Sequence, residues 1–170
     1  TTVNQEDTVK HLESDIQIYA EALNDAIKKL FVNDSSLLEN DVAERAICAQ
    51  IGQYLKPHFP NHNVDVEYDR HGIEPKRVRL PKNCRSTHKS LILPDIVVHQ
   101  RAHDRENLMV IQVKKETNSE PRACDRAIVL AMKRDFKYAV GVLLDLPAGS
   151  GAAARTAKFE WLSKPPATRK

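Results

Sequence analysis

Two neighbouring stretches decide the fold: Ser90-Leu91-Ile92-Leu93-Pro94-Asp95-Ile96-Val97-Val98-His99 and Leu108-Met109-Val110-Ile111-Gln112-Val113-Lys114. Both are continuous apolar runs of strand length, rich in β-branched residues, and such runs read as strands buried on both faces. Pro94 interrupts the first, and a proline inside a buried strand points to a bulge. The polar segment from Arg101 to Asn107 reads as the turn that joins the two into a hairpin. Residues two apart on a strand share a face, so Gln112 and Lys114 point the same way, and the hairpin brings Asp95 beside them. A carboxylate, an amide and an ammonium are therefore expected to converge where two apolar strands end.

Upstream of the hairpin, Val9, Leu12, Ile16, Tyr19, Leu23, Ile27 and Leu30 recur at spacings of three and four, which predicts an amphipathic helix from Thr8 to Phe31. Asn33, Asp34 and Ser35 break it. A second helix is predicted from Asp41 to Leu55, with Asp41 as N-cap, Glu44 as its capping-box partner, and Pro57 and Pro60 ending it. The period then changes to two: Val64, Val66 and Tyr68 alternate with Asp65, Glu67 and Asp69, the pattern of a half-buried strand from Asn63 to Arg70. His71, Gly72 and Pro75 suggest a turn or loop. Lys76 to Ser90 reads as a long basic connection with a short strand near Val78.

Downstream, Pro121 to Arg134 reads as a helix, Tyr138 to Leu146 as an apolar strand, and Lys158 to Leu162 as an edge strand carrying Trp161 as a packing residue. The helix from Pro121 provides a crossover that lets the following strand pair in parallel with an earlier one. The expected architecture is α/β: a mixed central sheet flanked by helices. It forms one domain over 1–170, with 1–36 as an accessory N-terminal helix, 41–162 as the core and 163–170 as a tail.

The chain has 170 residues, enough for one hydrophobic core without staples. Its 41% hydrophobic and 29% charged residues exclude disorder along the whole length. The formal net charge of +3 is too small to mark a nucleic-acid binder. The basic residues cluster, however: Lys76, Arg77, Arg79, Lys82, Arg85 and Lys89 in one stretch, and Lys114, Lys115, Arg122, Arg126, Lys133 and Arg134 in another. Solvated faces explain such runs equally well. Aromatic residues at 5% argue against a single-strand binder that works by base stacking.

Cys48, Cys84 and Cys124 form an odd set without paired spacing, and no stretch resembles a leader or a membrane span. The expectation is a reduced, cytoplasmic protein. Cys84 and His88 have a metal-like spacing but lack a second pair, so zinc is not expected. His58, His62, His71, His99 and His103 sit among polar residues and read as surface histidines.

Asp95, Gln112 and the Val113 carbonyl are hard oxygen donors of the kind a Mg²⁺ ion takes from a protein. Glu44 shares a helical face with Ile47 and Ile51, and a carboxylate on a buried stripe needs a partner. The alternatives are that Glu44 only caps its helix and that Asp95 and Lys114 form a cross-strand ion pair.

Pro94-Asp95 followed by Gln112-Val113-Lys114, with a helix bearing Glu44 upstream, resembles the signature of the PD-(D/E)XK nuclease superfamily. The order helix, three strands, helix, strand over Asp41 to Leu162 is similar to that superfamily's restriction-endonuclease-like core. Val64 to Tyr68, a Val-Asp-Val-Glu-Tyr strand, resembles a bacterial group within it. The resemblance implies a nuclease that uses Mg²⁺ or Mn²⁺, with Asp95, Gln112, Val113 and Glu44 at the metal and Lys114 polarising the phosphate or the attacking water. It further implies DNA as partner, contacted by Arg77, Arg79, Arg126 and Lys133, and a homodimer in which two sites cut two strands. Gln112 stands where the family usually has Glu or Asp. That change occurs in active members and also in members that have lost catalysis and only bind nucleic acid or a partner protein.

Overall fold

A computed structural model describes residues 5–71, 74–75, 78, 80–81, 83–84 and 93–162, with the backbone alone for 5–15, 71 and 74–75. The elements in chain order are helices α1 (Gln5–Asn33), α2 (Ser35–Glu39) and α3 (Glu44–Leu55), then strands β1 (Asn63–Val66), β2 (Arg70–His71), β3 (Glu74–Pro75), β4 (Ile96–His99) and β5 (Met109–Lys115). Helix α4 (Arg122–Phe136) and strands β6 (Val140–Leu146) and β7 (Lys158–Leu162) complete the fold.

Five strands form one mixed sheet in the order β1-β4-β5-β6-β7. Only β5 and β6 pair in parallel, joined across α4, and the other pairs are antiparallel. The mixed α/β sheet flanked by helices is thus as expected.

Alternation along the strands sorts the core into two faces. Ile96, Val98, Met109, Ile111 and Val113 pack against α1 and α3, where Leu23, Leu30, Ile47, Ile51 and Leu55 are fully buried. Val97, Val110 and Leu143 face α4 and meet Val129, Met132 and Phe136. Truncating any one of these large buried side chains to alanine costs about 2–5 kcal/mol. Gly141 lets α4 approach the sheet, since a Cβ there would lie 2.3 Å from Val129 Cγ1. Along its second half α1 packs into the core: Leu23, Ala26, Ile27 and Leu30 belong to the same buried cluster as α3. From residue 16 on its apolar stripe is therefore covered, leaving Ile18 and Val32 exposed.

Several boundaries differ from the sequence reading. The α3 helix starts at Glu44, with Ala43 at the N-cap position and no side-chain cap. Asp41 does not cap it, because its carboxylate is taken by Lys115 Nζ at 2.7 Å and Thr117 Oγ1 at 2.9 Å. β1 stops at Val66, where Glu67 adopts a left-handed conformation (φ 51°) and ends the pleat. His71 and Pro75 belong to a two-residue ladder, Arg70↔Pro75 and His71↔Glu74, rather than to an open loop. The chain does turn at Asp34, as expected, but at once resumes as α2. Pro94 precedes β4 instead of bulging within it.

Cys84 and Cys124 form a disulfide, which corrects the expectation of an unpaired set. Forty residues separate them in sequence, so spacing alone carried no sign of the pair. Among the described residues no helix is long and apolar enough to cross a membrane. Leu91, Ile92, the tail from Pro165, and the residues flanking Val78 lie outside the described residues.

Candidate functional site

The antiparallel ladder between β4 and β5 ends at Ile96↔Ile111. Continuing that register sets Asp95 opposite Gln112 and Pro94 opposite Val113. Proline has no N–H to give, so β4 offers no ladder donor to the Val113 carbonyl. The Val113 N–H is met instead by the Asp95 side chain, donating to Oδ2 at 2.6 Å. Pro94-Asp95 thus stops the ladder and replaces it with a carboxylate at the sheet's end.

Asp95 is half-buried. Burial pushes its carboxyl up to about 7. The Val113 N–H works in the opposite direction, and the negative charges of Glu44, Asp125 and Glu67 push it up further. No basic side chain pairs with Asp95 among the described residues. Removing water and gathering like charges both favour the neutral acid.

Gln112 and Lys114 share the α4-facing side of β5, as the two-residue period requires. Gln112 is 7% exposed, and its Oε1 is buried without a hydrogen-bond partner. A buried carbonyl without a donor costs about 1–3 kcal/mol, an unusual thing to retain in a core strand. Lys114 is also buried, and its Nζ donates to Asp125 Oδ2 at 2.8 Å and to the Glu120 carbonyl at 3.0 Å. Its ion partner is therefore Asp125 of α4, not Asp95. Arg122 adds a second cation to Asp125 at 3.5 Å and pairs with Asp145 as well. Asp125 was not singled out from sequence, although its place one turn into the helix after the hairpin was a usable signal.

Glu44 reaches this end of the sheet from the other face. Its Oε2 accepts from the Lys115 N–H at 3.1 Å and from Asn118 Nδ2 at 3.4 Å, tying the start of α3 to the end of β5. Glu67, just past β1, pairs with Arg45 at 3.2 Å. Glu44, Glu67 and Asp95 all act on the buried Cys48, whose thiol is pushed well above the ordinary range, first by burial and then by these charges. Among the described residues no three His, Cys, Asp or Glu side chains form a group that could hold a metal ion.

A cavity of about 510 Å³ opens on the α4 side. Gln112, Asp125, Glu120 and Ile128 line it, and the Cys84–Cys124 disulfide forms part of its wall.

The proposed phosphate contacts fare unevenly. Arg126 is held by Glu160 in a bidentate pair at 2.8 and 2.6 Å. Lys133 donates to the Leu162 carbonyl at 2.5 Å, and burial lowers its amine from the ordinary value. Arg77 and Arg79 lie outside the described residues. Cys84 is spent in the disulfide, and His88 is likewise outside.

His99 is not a surface histidine: it is 3% exposed, bonds Asp65 Oδ2 through Nε2 at 2.8 Å, and stands edge-on to the Tyr68 ring. Trp161 packs against the core as expected.

The fold and site define a mixed-sheet α/β protein with a carboxylate at the end of its central hairpin that meets no cation among the described residues. Compared with protein-family models, curated proteins and solved structures, the chain matches none.

Proposed function

We propose that this protein is a metal-dependent nuclease of the PD-(D/E)XK type that hydrolyses the phosphodiester bonds of DNA. The order α3, β1, β4, β5, α4, β6 supports the restriction-endonuclease-like reading of the core. The observation that carries the function is a carboxylate without an ion partner among the described residues at the head of β4, beside an unpartnered amide oxygen on β5. Among the described residues Asp95 has no cation, burial carries its carboxyl up to about 7, and Gln112 Oε1 on the next strand is buried and unpartnered.

These residues fit a divalent cation in donor chemistry. Asp95 would bring the charged oxygen, Gln112 and the Val113 carbonyl the neutral ones, and Glu44 a second negative charge nearby. When bound, Mg²⁺ or Mn²⁺ supplies Lewis acidity toward a phosphate oxygen and a water of lowered pKa. Asp95 must release its proton to take up a cation, so uptake strengthens as pH rises through about 7. Lys114, buried and aligned by Asp125 and Glu120, holds a positive charge beside the donors for a developing negative charge on the phosphate. Arg122, on the first turn of α4, adds a further positive charge.

The second reading is a catalytically inactive module of the same fold that binds nucleic acid or a partner protein. The observations favouring it are Gln112 in place of an acid and the engagement of Lys114 by Asp125. A plasmid-nicking assay with Mg²⁺ and with Mn²⁺, on wild type and Asp95→Ala, separates the two. The nuclease reading expects nicking by the wild type that disappears in the variant. DNA retention without nicking by either protein points to the binding module.

A further inference from the structure

We propose that the Cys84–Cys124 disulfide is a redox latch that closes the Gln112 cavity when oxidised and opens it when reduced. The inference rests on the reading of Asp95, Gln112 and Lys114 as the working site, of which Gln112 lines the cavity and Asp125, the partner of Lys114, lines it too.

The tie joins Cys84 to the first turn of α4, where Cys124 is the third helical residue. The next residue, Asp125, is the one that holds Lys114. Leu80, Asn83 and Cys84 form one wall of the cavity, with Pro121, Cys124 and Asp125 on α4 facing them and Gln112 between. In this oxidised state Gln112 and Lys114 are each 7% exposed. A polymer backbone cannot reach groups so covered, so the oxidised form is the closed one.

The bond is placed to be exchanged. Both sulfurs belong to residues that line a cavity of about 510 Å³, large enough to admit a small thiol. Cys124, in the first turn of a 15-residue helix, would leave as a thiolate at the positive end of the helix dipole. Such a position stabilises the thiolate, and stabilising the reduced form makes a disulfide easier to reduce. Glu120 and Asp125 oppose that effect, and the Asp125 charge is met by Lys114 and Arg122. Cys48, buried among α3 residues, takes no part.

The reductant is a dithiol. Its thiolate attacks one protein sulfur, the other sulfur leaves as a thiolate, and the reductant's second thiol closes on the mixed disulfide. Two electrons pass to Cys84 and Cys124, two protons convert them to thiols, and the reductant departs as a disulfide.

The test compares oxidised protein with protein reduced by dithiothreitol and kept anaerobic, and with Cys84→Ser. Three measurements are made: thiol count in denaturant, amide hydrogen exchange, and Mn²⁺ titration. The latch predicts one thiol before reduction and three after. It predicts exchange in 121–128 faster by about tenfold on reduction, a local opening, while 140–146 in β6 stays protected. Mn²⁺ should bind more tightly to the reduced protein and to Cys84→Ser. Three thiols before reduction, unchanged exchange, or exchange that rises equally in β6 would each overturn the latch. So would Mn²⁺ binding that is equal in both states or confined to the oxidised one. Local opening without Mn²⁺ binding in either state leaves the structural latch standing and removes the metal-site reading beneath it.

Discussion

Two aspartates on adjacent strands of one sheet meet opposite fates. Asp65 on β1 accepts from His99 at 2.8 Å and from Arg101 Nε at 2.9 Å. Burial pushes its carboxyl up, but the Arg101 and His99 hydrogen bonds and charges outweigh that and hold it well below the usual carboxylate range. Asp95, at the head of β4, accepts the Val113 N–H and faces three other acids with no cation among the described residues, so burial and repulsion carry it up to about 7. Among the described residues one carboxylate has its cations and the other has none. An unsatisfied carboxylate persists against selection for stability when it serves something else, and that contrast makes Asp95 the better functional candidate.

The sharpest way to break the contrast is Asp95→Asn. A carboxyl raised from its ordinary value in the folded state stabilises folding at low pH, and that contribution is lost as pH rises through the folded value. The shift from 3.8 to about 7 amounts to at most about 4 kcal/mol. Asparagine still accepts from Val113, so the variant should be more stable than wild type at pH 8 and should match it near pH 4. Urea unfolding at both pH values checks this, and equal stability at pH 8 would show that Asp95 is already compensated.

Asp65→Asn should act in the opposite direction, costing about 2–3 kcal/mol at neutral pH by weakening charged hydrogen bonds to His99 and Arg101. Because Asp65 is depressed in the folded state, its contribution is present above the unfolded value near 3.8 and is lost as pH falls below it. The difference between variant and wild type should therefore shrink in acid.

Gly141→Ala is a control of packing alone. The new Cβ would clash with Val129 and press α4 off the sheet, costing about 1–3 kcal/mol with no change in pH profile. The smallest effect belongs to Gln112→Leu, which removes a buried carbonyl without a donor and should gain about 1 kcal/mol in thermal unfolding while abolishing cation binding.

Much of this was legible from residue order. Period-two alternation and continuous apolar runs located the central hairpin, and period-3.6 stripes located α1, α3 and α4. The pairing of Gln112 with Lys114 on one face followed from the pleat. His99 was also within reach, because it continues the Val97 face of β4 and that face is buried. What escaped depended on contacts distant in sequence. Asp41 reads as a cap until Lys115 claims it, and Lys114 reads as a partner of Asp95 until α4 docks Asp125 beside it. The Cys84–Cys124 pair is set by where the 80–84 segment meets α4, which no local pattern encodes.

The most direct test of the central claim is calorimetric titration of Mn²⁺ into wild type and Asp95→Ala at pH 6, 7 and 8. The account predicts binding that strengthens across this range as Asp95 loses its proton, and no binding by the variant. Absence of binding by the wild type at all three values, or binding undiminished in Asp95→Ala, would contradict it.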